Sequence, residues 1–511
     1  MAKSTSFLVG ALTIAATLAF LPSSTPTLAA DPVLQAPARE ELWNVIYLAG
    51  QRIGYSQTLT ETIKKNGNST VRTSLRASMS IKRFGQTLVM NQSLTTEETL
   101  DGDMLQFRLE LANPPAAPSI TLGKIDGKNL VLTTEVNGKP KTVTQPWHVG
   151  VKSPAYQDRL LKQNPLKEGD SRTFESFFPE FLKVGKVTLK GAGYEETSMY
   201  DNTRTRLFKV RSTHTLLPGS TTDSYLDDLG ETQKTSSSLL GTAMEMYLVS
   251  QAEAMKRITG KELDLAVNTL VEVKPILNPH DTKKIVYNLT ITDQDPMKVV
   301  PTGETQTLKK INDDTAEMTV VSLAIPETAR PGKVANEFLE SSQYLQRDDK
   351  NVKRHADAAA GDATNAAEIT RRMEKYVHEK LESKNFSTAM ASAAEVAEKM
   401  EGDCTEHAVL LAAMLRAKSI PSRVVVGLVY ADRLYAFGGH MWTEANLEGH
   451  WIPLDATLGK GGIGAAHIRL ADASLSDDGP PAITGFASLM TVIGHLKLNV
   501  VSIDGKSIES K

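Results

Sequence analysis

Between Val71 and Ile81 the chain alternates without a break: Val71, Thr73, Leu75, Ala77, Met79 and Ile81 are interleaved with Arg72, Ser74, Arg76, Ser78 and Ser80. A period of two sends successive side chains to opposite faces, so this stretch predicts a long strand with one wet face and one inner face. Leu105, Phe107, Leu109 and Leu111 repeat the pattern. Turn pairs punctuate the region at Asn66-Gly67, Asp101-Gly102, Asp126-Gly127, Asn137-Gly138 and Pro218-Gly219. From about Leu42 to Met255 the expectation is an antiparallel meander, a barrel or a curved sheet, with a short helix around Ala155 to Lys162. A second strand-rich block runs to about residue 330, with strands expected at Leu265-Ala266-Val267, Ile285–Leu289 and Met318–Leu323. Asp293-Gln294-Asp295-Pro296 reads there as a turn, because it lacks the ligand spacing of a calcium loop.

The texture changes after Ala329-Arg330-Pro331-Gly332. The small, polar run His355–Asp362 is expected as a loop, with Asp362 or Thr364 capping the next helix. Ile369, Met373, Tyr376, Val377 and Leu381 then mark a helical stripe. Further helices are expected from Ala391 to Met400 and from Cys404 onward. Strands are expected at Arg423–Tyr430, Met441–Leu447 and His450–Leu454, the last two joined at Glu448-Gly449. Helices followed by antiparallel strands make an α+β domain. The fold class is therefore multidomain: residues 31–258 a β-rich curved-sheet or barrel-like domain, 259–333 a small β-rich domain, 334–475 the α+β domain and 476–511 a C-terminal extension.

The first 30 residues read as a signal peptide. Lys3 is followed by an uncharged, mostly apolar run from Phe7 to Leu21, then Pro22 and the small-residue site Thr27-Leu28-Ala29-Ala30. That run is shorter than the roughly 20 residues that span a bilayer, although an uncleaved anchor stays open. The expectation is an exported, periplasmic or secreted protein with no integral membrane segment after cleavage. Lys and Arg total 57 against 60 Asp and Glu, so no basic field marks a nucleic-acid partner.

The chain has one cysteine, Cys404. An exported protein with a single cysteine has no internal disulfide to make, which leaves a buried structural thiol or a working one. Asp403 is a plausible cap, placing Cys404 at a helix N-terminus where unpaired N–H groups favour a thiolate and could hold an oxyanion. His440 and Asp455 follow on adjacent strands. A nucleophile, a base and an orienting carboxylate are what thiol catalysis requires, although each residue alone also has a structural reading. No His-Glu-x-x-His and no second cysteine mark a metal site, and no cofactor is expected.

Four blocks carry a resemblance: Gly402-Asp403-Cys404-Thr405-Glu406-His407, Ala417-Lys418-Ser419-Ile420-Pro421-Ser422-Arg423-Val424, Gly439-His440-Met441-Trp442-Thr443-Glu444 and Trp451-Ile452-Pro453-Leu454-Asp455-Ala456-Thr457. In residue type, order and spacing they are similar to the bacterial transglutaminase-like domain. The resemblance covers roughly Asn336 to Leu470. It implies a papain-like core, with Cys404 as nucleophile, His440 as acid and base and Asp455 orienting the imidazole. It implies a protein or peptide amide as substrate, met by a transglutaminase, peptidase or amidase. Family members also include inactive scaffolds, so a non-catalytic binding or assembly module is the alternative. Trp442 is expected to pack over the site, and Glu406 and His407 to support the local fold. His450 and His467 have no assigned place.

Overall fold

A computed structural model describes residues 34–508 apart from 36, 38, 66, 84–85, 115, 137, 218–219, 240–241, 259–262, 265–268, 293, 383–389, 478–488 and 490–491. The signal segment 1–30, the strand expected at Leu265-Ala266-Val267, the turn at Pro218-Gly219, and Asn66, Asn137 and Asp293 lie outside the described residues. The chain divides into two compact units, one holding most residues up to Leu263 and the other Asp264 onward with 82–88. Among the described residues no helix is long and apolar enough to cross a membrane.

In the first unit, fourteen strands between Glu40 and Val249 form one antiparallel sheet. Eight strands follow one another as neighbours from Glu40–Leu48 to Lys139–Pro146, and six do so from Ser171–Phe178 to Thr242–Val249. The first strand pairs with the last, Val45 opposite Tyr247, and joins the two runs. Period-two alternation is visible in Gln86–Thr99, where Leu88, Met90, Gln92, Leu94, Thr96 and Glu98 are the buried set. In Asn68–Arg83 the alternating set is packed only at its ends. Val71, Met79 and Ile81 are buried, while Thr73, Leu75 and Ala77 line an internal cavity. A helix, Tyr156–Gln163, sits where a short one was expected.

Among its described residues the second unit contains two sheets and four helices of seven residues or more. Lys284–Ile291 lies between Thr315–Val321 and Leu496–Ile503. The stretch expected as a separate small domain and the stretch expected as an extension thus contribute strands to one sheet. Asp295 caps the helical turn Pro296–Val299 by accepting from Met297 N at 3.1 Å. In the other sheet Ala436–Leu447 is flanked by Ser422–Ala431 and His450–Leu454, and His467–Ala473 pairs on the far side of Ser422–Ala431. Glu448 and Gly449 both take positive φ, 53° and 95°, as a two-residue hairpin turn requires. Tyr287 links the sheets, with its hydroxyl donating to Ala465 O at 3.1 Å and its ring 5.8 Å from that of Phe437.

Two expectations need correction. The run His355–Asp362 is not a loop: Lys350–Ala360 is helical, capped by Asp349 and burying Val352, His355, Ala356 and Ala359. Small side chains suggest a loop by composition, but alanine is the strongest helix former, and these positions fall on one helical stripe. The helix Ala366–Lys380 is capped by Asn365, whose Oδ1 accepts from Ala367 N at 2.9 Å and Glu368 N at 3.3 Å. Asp362 instead pairs with Arg372 at 2.8 Å.

Candidate active site

The helix Cys404–Ala417 begins with a reciprocal cap. Asp403 Oδ1 accepts from Thr405 N at 2.8 Å and Thr405 Oγ1 at 2.7 Å, and Glu406 Oε2 accepts from Asp403 N at 3.0 Å. The cap fixes Cys404 as the first helical residue. It also occupies the Thr405 N–H, one of the donors that a helix terminus could offer an oxyanion. Cys404 is fully buried, with Sγ 3.6 Å from Asp403 Oδ1. Every residue from Cys404 to Arg416 is buried, as for a helix enclosed on all sides. His407 Nδ1 donates to Asp403 O at 2.6 Å. Burial pushes the His407 imidazole down to about 4, and Asp455 and His440 lie within electrostatic reach of it. The helix is tied to the strand Ala436–Leu447 by Thr443 Oγ1, which donates to Ala408 O at 2.9 Å.

On that strand His440 stands opposite Gly427. Its Nε2 is 2.8 Å from Asp455 Oδ2, and both side chains are fully buried. Asp455 follows directly on His450–Leu454, which pairs Leu454 with Thr443. Continuing that register by one residue sets Asp455 opposite Trp442, with His440 two positions along on the same face. The Trp442 ring stacks on His440 at 6.3 Å and meets His467 edge-on at 5.5 Å, as expected of a packing residue. His467 reaches the site across Ser422–Ala431, and its Nε2 lies 3.1 Å from Asp455 Oδ2. Gly427 makes this approach possible. A Cβ there would stand 2.0 Å from Ile468 O and 2.7 Å from Trp442 Cη2.

Burial disfavours a charged Asp455, but the charge and hydrogen bonds of His440 and His467 outweigh it and hold the carboxyl well below its ordinary range. Burial lowers His467, against its bond to Asp455. Behind Asp455, Glu374 Oε1 accepts from Asp455 N at 3.1 Å and Gly462 N at 3.0 Å. Burial pushes Glu374 up to about 7, with the Asp455 charge adding to the rise and the Gly462 N–H opposing it. His378 Nδ1 is 3.0 Å from Ala456 O and braces the same turn.

The fold thus joins His440 to Asp455 directly and places Cys404 at the start of the helix tied to the histidine's strand. His450 is exposed on Glu304 at 3.1 Å, away from this cluster. His467 and Glu374 are the residues that sequence reasoning missed. Glu374 carries a signal in hindsight, a carboxylate on the same buried stripe as Met373 and Val377. His440, Asp455 and His467 also offer three potential metal-ligand atoms within 4.8 Å of one another. At 2.8 and 3.1 Å the two imidazoles bond the carboxylate directly.

Residues 353–456, which span the cysteine helix, the His440 strand and Asp455, match the transglutaminase-like superfamily. The chain carries a transglutaminase-like domain. No curated protein matches the chain. Three solved structures overlap it loosely. A candidate cysteine protease from Cytophaga hutchinsonii is 17% identical with a TM-score of 0.31, covering 45% of this chain and 95% of its own. A β-barrel-like protein of unknown function from Brucella abortus is 15% identical with a TM-score of 0.32, covering 43% of this chain and 98% of its own. A candidate protease from Parabacteroides distasonis is 12% identical with a TM-score of 0.19, covering 70% of this chain and 64% of its own. At these TM-scores the overlaps show no shared fold over the whole chain.

Proposed function

We propose that this chain is an exported, cysteine-dependent acyl-transfer enzyme acting on protein or peptide amides. The observation that carries the reading is the buried His440–Asp455 pair at 2.8 Å on the strand tied to the Cys404 helix. With Nε2 held by Asp455, Nδ1 is the histidine nitrogen that handles a proton, and Asp455 fixes that tautomer. The Cys404 thiol gives its proton to His440, and the sulfur attacks the amide carbonyl carbon. The C–N bond breaks, the imidazolium protonates the departing ammonia or amine, and a thioester remains. Water or an acceptor amine, deprotonated by His440, then attacks the thioester. The acyl group leaves as a carboxylic acid or a new amide, and the thiol is restored. In a papain-like arrangement one site supports both outcomes, according to how well the closed site excludes water.

Full burial of Cys404, His440 and Asp455 favours a second reading, a non-catalytic assembly module that retains the core. One experiment separates the two. Peptide and protein amides are incubated with the parent and with Cys404→Ala, and products are read by mass spectrometry. Ammonia loss at new links, new termini or Gln-to-Glu conversion, all dependent on Cys404, support the enzyme. Identical product sets from the two proteins support the module.

A further inference from the structure

The β-rich unit holds a partly open cavity of about 980 Å³, lined only by residues of that unit. That volume is at the upper end of the range of about 300–1,000 Å³ typical of small-molecule sites. The cavity explains why Leu75 is not packed although its strand alternates without fault. Leu75, Met79, Leu94, Met244, Met246 and Leu248, from three strands of the one sheet, present an apolar wall. An apolar wall of this extent is a place for a hydrocarbon body.

The lining carries four bases, Arg39, Arg159, Lys162 and Lys234, and four carboxylates, Glu40, Asp158, Glu180 and Glu231, but they are unevenly paired. Arg159 is 2.7 Å from Glu98 Oε1, Lys162 holds Glu40 and Glu231, and Lys234 is 2.8 Å from Glu245. Asp158 and Glu180 also line the cavity, and among the described residues neither has a basic partner. Glu180 Oε1 accepts a long bond, 3.3 Å, from Gln92 Nε2, and among the described residues Asp158 has no polar partner. Asp158 is an exposed residue where it lines the cavity, and desolvation by the surrounding groups pushes its carboxyl up to about 6. Burial also pushes Glu180 up, against the Gln92 bond and a backbone bond. Arg39 is the one lining base without an acid on it among the described residues. Unpaired carboxylates beside an apolar wall are costly unless a cation meets them.

We propose that this cavity binds an amphiphile bearing a protonated amine, its hydrocarbon body on the leucine and methionine wall and its ammonium on Asp158 or Glu180. The inference does not depend on the chemistry of Cys404. The test is calorimetric titration of the full chain with decylammonium, decanol and decanoate, probes that share one tail and differ in head group. The parent is expected to bind decylammonium about tenfold or more tightly than decanol, because a charge-assisted hydrogen bond contributes roughly twice a neutral one. In Asp158→Asn/Glu180→Gln that preference should vanish while decanol binding stays, which shows the cavity intact. If the double variant does not fold, at least one of the single variants Asp158→Asn and Glu180→Gln should lose the preference, and retention of it in both would overturn the proposal. Equal binding of decanol, tighter binding of decanoate, binding of none of the three, or a preference that survives the double substitution would each overturn the proposal.

Discussion

His467 Nε2 lies 3.1 Å from Asp455 Oδ2, the same carboxylate oxygen that His440 Nε2 reaches at 2.8 Å. Asp455 therefore holds its position between two imidazoles, and only one of them stands on the strand tied to the cysteine helix. Under the proposed reaction His467 is a positioning residue, acting on His440 through the carboxylate they share.

His467→Asn should lower kcat by about tenfold, the effect of losing one hydrogen bond to a charged group. KM should change little. With one imidazole gone, the Asp455 carboxyl loses part of what holds it down, so the acid limb of the pH–rate profile should move upward. A merely structural role would leave that limb in place.

Cys404→Ala should abolish turnover in a folded protein, and His440→Ala should come close to it. Asp455→Ala should cost about a hundredfold or more yet leave residual turnover, because it orients a reacting group and does not itself react. Circular dichroism on each variant separates loss of chemistry from loss of fold.

Glu374 should give stability a distinct pH dependence. Burial moves its carboxyl from an ordinary 4.5 to about 7. The folded chain thus favours the protonated form. That contribution is complete below about 4.5 and is lost as pH rises through about 7. Relative to Glu374→Gln, the parent should lose about 3 kcal/mol of unfolding free energy between pH 4.5 and 8. Denaturant unfolding of both proteins across that range is the check. A constant difference would contradict the assignment.

Gly427→Ala should destabilise the protein by about 1–3 kcal/mol, the usual cost of overpacking. The new Cβ would meet the Ile468 carbonyl at 2.0 Å, and backbone cannot move aside as a flexible side chain can. Tryptophan fluorescence should shift with it, because Trp442 is the other atom group in the way.

The legible part of this fold is the part written locally. Asp403 and Glu406 stand three residues apart and cap each other, so the placement of Cys404 at a helix start could be read from a few neighbouring residues. The hairpin between His440 and Asp455 was legible in the same way, from Glu448-Gly449 between two apolar runs. His467 was not. Its partnership with Asp455 depends on which strand lies beside Ser422–Ala431 and on a register shift between Val426 and Gly427, and neither has a local signature. In the β-rich unit the alternation from Val71 to Ile81 predicted the strand, but a period of two is the same for a face that meets a packed core and one that meets a cavity. The helix Lys350–Ala360 was misread because its alanines look like linker composition when its cap at Asp349 is overlooked.

Thiol chemistry at Cys404 is tested most directly by intact-mass and peptide mapping after treatment with a peptidyl chloromethyl ketone. One adduct is expected, on Cys404, formed by the parent and strongly slowed in folded His440→Ala. A thiol that stays unmodified in the parent, or labels equally fast without His440, would contradict it.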